Sequence, residues 1–204
     1  MCADLEGIIQ KFIYDNNQFC SEKDFQFSLA WEIKSKLENT EIILEYPYED
    51  EKNKIMYMDI CVIHNGKKHF IELKYKTKKE TISRYNIKIE LNNQLAQDLG
   101  RYSFCKDIER LESVNQDNSG PNYAIFLTND SSYWENNKDK DKPTLDCNFR
   151  IYENKTLSGN LNWKLQKTWI RKYPAITLNN EYTCNWKNTK NENCKYLCLK
   201  ISNP

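Results

Sequence analysis

Asp59, Glu72 and Lys74 are the residues of this chain whose types and spacing can do chemistry together. They lie in YMDICVIHNGKKHFIELKYK, residues 57–76, where two apolar runs flank Asn65-Gly66. That dipeptide favours a tight type I′ hairpin turn, in which both central residues take positive φ. The turn sets a register in which His64 meets Lys67 and Asp59 stands directly opposite Glu72. Opposed residues share a sheet face with Cβ atoms about 4.5–5.5 Å apart, and like charges so placed destabilise the pair. Lys74, two residues beyond Glu72, returns to the same face. Two carboxylates and a lysine forced together require a compensating charge, and hard oxygen donors suit a divalent cation, Mg2+ or Mn2+. The backbone carbonyl of Leu73 can add a further ligand. A cation held there activates water and stabilises charge on a scissile phosphate, with Lys74 orienting the water or neutralising the developing charge. The competing reading is a cross-strand ion-pair network with no chemistry.

Several elements must position these residues. Leu5, Ile8, Ile9, Phe12 and Ile13 recur at helical spacing over residues 4–14. Ser21-Glu-Lys-Asp is a weak capping signature that predicts a helix over residues 22–37. Phe25, Leu29, Ile33 and Leu37 form its buried stripe, and Glu32 falls at the edge of that stripe. A carboxylate there is costly unless something pairs with it: Glu32 either reaches solvent or a core lysine, or serves as a third acid beside Asp59 and Glu72. Residues 41–48, 55–64 and 68–76 read as three successive strands, an antiparallel meander. Residues 77–85 read as a basic loop. A helical pattern follows over residues 88–111, with Leu91, Leu95, Leu99 and Tyr102 on one stripe and Gly100 as a bend. Gln94, Asp98 and Arg101 line up beside that stripe. NYAIFLT, residues 122–128, is the continuous apolar run of a strand buried beside a crossover helix. Residues 129–142 are polar and read as a loop, and residues 197–201 as a last strand.

Composition narrows the function classes. The 204 residues fit a single domain over residues 1–204, with 39% hydrophobic and 13% aromatic residues to build a core. No run approaches the roughly 20 apolar residues of a membrane span, and MCADLEGIIQKF lacks the basic and apolar regions of a signal peptide. The expectation is a soluble cytoplasmic protein with no membrane partner. The 8 cysteines form no CxxC pair, and they read as reduced thiols. Cys184, Cys194 and Cys198 are poorly spaced for zinc and have no evident fourth ligand. His64 and His69 have no triad partners by spacing, and with 5 glycines and no Walker motif a phosphate-cradling loop is excluded. A net charge of +1 says little, but Lys67, Lys68, Lys76, Lys78 and Lys79 crowd the second half of the hairpin. They suit phosphate contact, or equally a solvated edge that blocks aggregation.

The order of these features resembles the restriction-endonuclease-like PD-(D/E)xK nuclease superfamily. The matching residues are Met58-Asp59 and Glu72-Leu73-Lys74, with Glu32 on the first core helix; Met58 replaces the family's proline. The resemblance covers about residues 22–128 and leaves residues 129–204 as an elaboration. It implies an α/β fold: a central mixed β-sheet flanked by helices, an αβββαβ core with an N-terminal helix and a C-terminal β-rich extension. It also implies Mg2+- or Mn2+-dependent hydrolysis of phosphodiester bonds, in DNA. In that reading Asp59, Glu72, Glu32 and the Leu73 carbonyl hold metal and Lys74 assists. Gln94 or Gln97 would fill the extra polar position that many members carry on the following helix, and Asp98 and Arg101-Tyr102 look similar to that helix in some branches, which makes Arg101 a further auxiliary candidate. A homodimer would be needed for a concerted double-strand cut. The alternative is a catalytically inactive member of the same fold that binds nucleic acid or protein.

Overall fold

The computed structural model of the protein describes residues 4–50, 53–84, 86–114, 119–136, 144–165 and 168–201. Two helices open the chain, α1 (Leu5–Asp15) and α2 (Glu22–Lys36). Ser21 caps α2 as expected, its hydroxyl accepting the Asp24 N–H at 3.1 Å. Strands β1 (Thr40–Glu49), β2 (Ile55–His64) and β3 (Lys67–Lys76) then form the meander. Asn65 and Gly66 take φ of 51° and 73°, and the turn sets His64 against Lys67. Pro47 sits inside β1, tolerated because β1 is the edge strand of the sheet.

The stretch after β3 departs from expectation. Residues 77–85 are not simply a loop, and the next helix does not begin near residue 88. A second hairpin forms instead, β4 (Glu80–Arg84) with β5 (Ile87–Leu91). Ile87, Ile89 and Leu91 alternate with polar residues at strand period, and Asn86 takes a positive φ of 63° at the turn. Helix α3 spans Gln97–Ser113, and Ala96 before it is left-handed. Leu95, expected on the helix's buried stripe, is 76% exposed. Gly100 serves a close approach: a Cβ there would lie 2.5 Å from the Tyr133 hydroxyl.

Strand β6 (Asn122–Thr128) is buried at every position and runs parallel to β3, so α3 is the crossover between them. The tail is part of the same architecture. A β7–β8 hairpin (Thr156–Leu161, Ile176–Thr183) packs on α3, and β10 (Lys195–Ile201) pairs antiparallel with β6 and with the short β9 (Lys187–Asn188). The central sheet is therefore mixed, in the order β1-β2-β3-β6-β10-β9.

Strand alternation sends side chains to two cores. On one face Ile60, Val62, Ile71, Leu73, Ile125 and Leu127 meet α1 and α2. On the other, Phe70 and Phe126 meet α3 and the tail aromatics Trp163, Tyr182 and Trp186. Cys184 and Cys194 belong to opposite cores and cannot share a zinc ion. Among the described residues no helix is long and apolar enough to cross a membrane.

Glu112, 3% exposed on α3, anchors the β7–β8 hairpin. Its carboxylate accepts the N–H groups of Asn179 and Asn180 at 2.8 and 2.9 Å and the Tyr182 hydroxyl at 2.7 Å. Truncation would strand these donors and the Asn180 side-chain amide, bonded at 3.2 Å, so Glu112→Ala should lower unfolding stability by about 2–4 kcal/mol in urea titrations. Glu112→Gln, which keeps one acceptor oxygen, should cost less. A loss under about 0.5 kcal/mol for the alanine variant, the level of an ordinary surface substitution, would dismiss the anchor.

Candidate functional site

The paired β2–β3 ladder ends at Ile60 opposite Ile71. Beyond it β2 stays with β1 and the two leave β3. Backbone groups that would have paired across the gap need other partners, and polar side chains supply them. The Asp59 carboxylate accepts the Leu73 N–H at 2.8 Å. The Tyr75 N–H, two residues on and facing the same way, donates to the Glu22 carboxylate at 2.8 Å. The Asp59 carbonyl accepts from Gln26, whose amide also donates to Glu45 at 2.9 Å. Glu45 takes a positive φ of 52° within β1, beside the point of divergence, a conformation uncommon outside glycine. Asp59 therefore does not simply face Glu72 across a continuous ladder. It substitutes for the missing strand.

Glu72 and Lys74 project from β3 toward α3. Glu72 is 2% exposed and lies 2.8 Å from Arg110. Lys74 lies 2.7 Å from Asp107, and Arg110 also pairs with Asp107 at 2.7 Å. One oxygen of Glu72 and one of Asp107, though close to these cations, lack a well-aligned hydrogen-bond donor. Tyr48 borders the cluster; burial, then the nearby Glu72 charge working against Arg110, pushes its hydroxyl up to about 12.

Four carboxylates (Glu22, Asp59, Glu72 and Asp107) thus surround two cations, Lys74 and Arg110, which leaves an excess of negative charge. Burial, reinforced by the Asp107 charge, pushes the Glu72 carboxyl well above the usual carboxylate range, and Arg110 offsets this only in part. Asp107 is likewise raised, chiefly by burial, against the pull of Lys74 and Arg110. For Lys74, burial opposes the charge, but Asp107, Glu22 and Asp59 outweigh it and keep the ammonium protonated.

The expected residues fare differently. Asp59, Glu72 and Lys74 are brought to one place, and the Leu73 carbonyl lies beside them, accepting from Lys74 at 3.2 Å. Glu32 is not there. It is near the other end of α2 from Glu22, on the side that feels Lys11 of α1. At 100° per residue Glu22 falls about 60° from Phe25, inside the apolar stripe, while Glu32 falls about 20° outside it. Gln94 precedes α3, bonded to Thr77 through its backbone. Gln97 and Arg101 turn to another cavity, bonded to Asp130 and Asp146. The helix residues at the cluster are Asp107 and Arg110. Asp107 falls about 40° beyond Leu111, outside the stripe of Phe104, Ile108 and Leu111, so helical periodicity does not flag it as a buried acid.

The lysines crowded in the sequence are spread out in space. Lys67 and Lys68 lie at the turn end of β3, and Lys76 is about 30 Å along it at a strand rise of ~3.3 Å. Lys68 packs on the Tyr46 ring and Lys78 pairs with Asp130 at 3.1 Å; Lys79 is exposed beyond the strand.

Among the described residues no three His, Cys, Asp or Glu side chains converge closely enough to form a ready metal cage. The donors nevertheless suit a hard cation: carboxylate oxygens with unspent acceptor capacity and an excess of negative charge. Comparison with protein-family models, with curated proteins and with solved structures finds no match.

A carboxyl whose pKa is raised by folding binds a proton that the unfolded chain releases. Its contribution to stability is present below the usual value of about 4.3 and is lost as pH rises through the raised value. Without divalent metal, stability should therefore fall with rising pH above about 5. Glu72→Gln, a neutral isostere, should flatten that fall and be more stable than the parent at neutral pH. Denaturant titrations across the range test this, and superimposable profiles for the two proteins would remove Glu72 as the cause.

Proposed function

We propose that the protein is a metal-dependent nuclease that hydrolyses phosphodiester bonds in DNA at the Asp59–Glu72–Lys74 cluster. In this reading α2, β1–β3, α3 and β6 correspond to a restriction-endonuclease-like core. The observation that carries it is the cluster itself: an acid-rich site built where two strands part, with a partly buried lysine held protonated beside it. Asp59, Glu72 and the Leu73 carbonyl are the residues that would hold Mg2+ or Mn2+, with Glu22 in the role expected of Glu32. When bound, such a cation supplies Lewis-acid stabilisation of phosphate charge and a more acidic water.

The chain's own residues account for the rest. Lys74, kept cationic by its neighbours, acts as a donor and positive charge toward the phosphate or the attacking water, and not as a base. Asp107 holds the ammonium in position. Arg110 holds the Glu72 carboxylate against the repulsion of Asp107. A concerted cut of both strands would bring two copies together.

A second reading, a binding module of the same fold without catalysis, is favoured by one feature. Lys74 and Arg110 already pair with Asp107 and Glu72, so the cluster neutralises part of its own charge.

The test incubates plasmid, linear and single-stranded DNA, and RNA, with Mg2+, Mn2+ or EDTA. Cleavage should require metal and fall by about 100-fold or more in Asp59→Ala, Glu72→Ala and Lys74→Ala, while Glu32→Ala should cut like the parent. Binding of DNA without cleavage under every condition would establish the second reading. Cutting by Glu72→Ala at the parental rate would discard this site.

A further inference from the structure

Between the start of α3 and the chain that follows β6 lies a cavity of about 360 Å3, a volume suited to a small ligand. Its lining carries three cations, Lys78, Arg101 and Arg150, and three carboxylates, Asp98, Asp130 and Asp146, with Ser132 beside them. Asp130 is already satisfied: it accepts from Lys78 at 3.1 Å, from the Ser132 N–H at 3.0 Å and from Gln97 at 3.2 Å. Asp146 is held by Arg101 at 2.7 Å. Arg101 spends its other terminal nitrogen on the Ser132 carbonyl at 2.7 Å, and its guanidinium lies over the Tyr133 ring.

Arg150 is the group these contacts do not explain. It is 5% exposed, as is Arg101, and donates to the Glu135 carbonyl at 3.4 Å. Burial, then the charge of Arg101, makes its protonated form harder to keep. Asp146 is thus shared between two buried guanidiniums, while Asp130 is taken by Lys78 and Asp98 accepts the Leu99 N–H at 2.9 Å. Among the described residues, the Nε–H groups of both arginines are buried with no acceptor. Leaving such donors unmet costs free energy that a ligand can recover.

We propose that this cavity binds a phosphate monoester, with Arg101 and Arg150 as its floor and Lys78 at its rim. The Arg150 fork matches the oxygens of a phosphate bidentately, Arg101 offers its Nε–H, and a monoester carries charge to share with the second guanidinium. The ligand is either a small phosphorylated molecule or the phosphorylated end of a nucleic-acid strand. Lys74 and Lys78 are separated by at most about 14 Å of chain, so one strand can reach both sites; that source alone rests on the nuclease reading.

Calorimetry in EDTA decides the matter, because hydrolysis cannot interfere. The probes are inorganic phosphate, a nucleoside monophosphate, a phosphorylated tetranucleotide and its hydroxyl-ended twin. At least one monoester should bind about tenfold or more tighter than its unphosphorylated counterpart, and Arg150→Gln and Lys78→Gln should each erase most of that gain. Lys78 is half exposed, so its variant serves even if Arg150→Gln fails to fold. A gain confined to phosphate and the monophosphate identifies a small ligand; a larger gain for the tetranucleotide identifies a strand end. Glu72→Gln should leave the binding intact whether or not the protein cuts DNA. No binding of any monoester at about 10 mM, or full binding in both variants, would overturn the proposal.

Discussion

The structure depends on the parting of β2 from β3 after the Ile60–Ile71 pair. A sheet edge opened inside a protein exposes backbone donors and acceptors that cannot be left unmet. Here three of them are met by side chains. Asp59 takes the Leu73 N–H, Glu22 takes the Tyr75 N–H and Gln26 serves the Asp59 carbonyl. Asp59 and Glu22 are thus at the gap because the backbone needs them. That requirement also fixes α2 over the sheet, since Glu22 and Gln26 are one helical turn apart on its buried stripe.

The acids facing α3 bring a separate problem of charge. Glu72 is fully enclosed on the α3 face of β3, and Asp107 adds a second buried acid close by. The compensation comes from one crossover: α3 carries Arg110 to Glu72 and holds Asp107 against Lys74. An uncompensated buried charge is far costlier than a surface one. The parallel pairing of β3 with β6 and the position of α3 are therefore coupled to the site's electrostatics. The tail participates too, since β10 extends the sheet and the β7–β8 hairpin, tied through Glu112, covers α3. The two sets of buried ions on α3 are separated along its axis. Asp107 and Arg110 face the gap, while Arg101, six residues before Asp107 and about 9 Å away along the axis, faces the second cavity.

The hairpin was legible because its determinants are local. Asn65-Gly66 specifies the turn, the turn specifies the register, and alternation then places Asp59, Glu72 and Lys74 together. Helix α2 was legible from Ser21 and the stripe after it, and β6 from its unbroken apolar run. The second hairpin was misread because Leu91, Leu95 and Leu99 fit a helical repeat as well as Ile87, Ile89 and Leu91 fit a strand. Asn86 and Ala96, both left-handed, resolve it in favour of the strand.

The amino-acid sequence by itself determined which two strands carry the acids and the lysine, because turn chemistry and strand period act over a few residues. Only the tertiary structure decided their partners. Glu22 in place of Glu32, and Asp107 and Arg110 in place of Gln94, Gln97 and Arg101, depend on how α2 and α3 rotate against the sheet. So does the scattering of the lysines along a strand about 30 Å long. Those rotations are set by the packing of two cores and by the need to pair every backbone group at the gap, and both are constraints between residues distant in the chain.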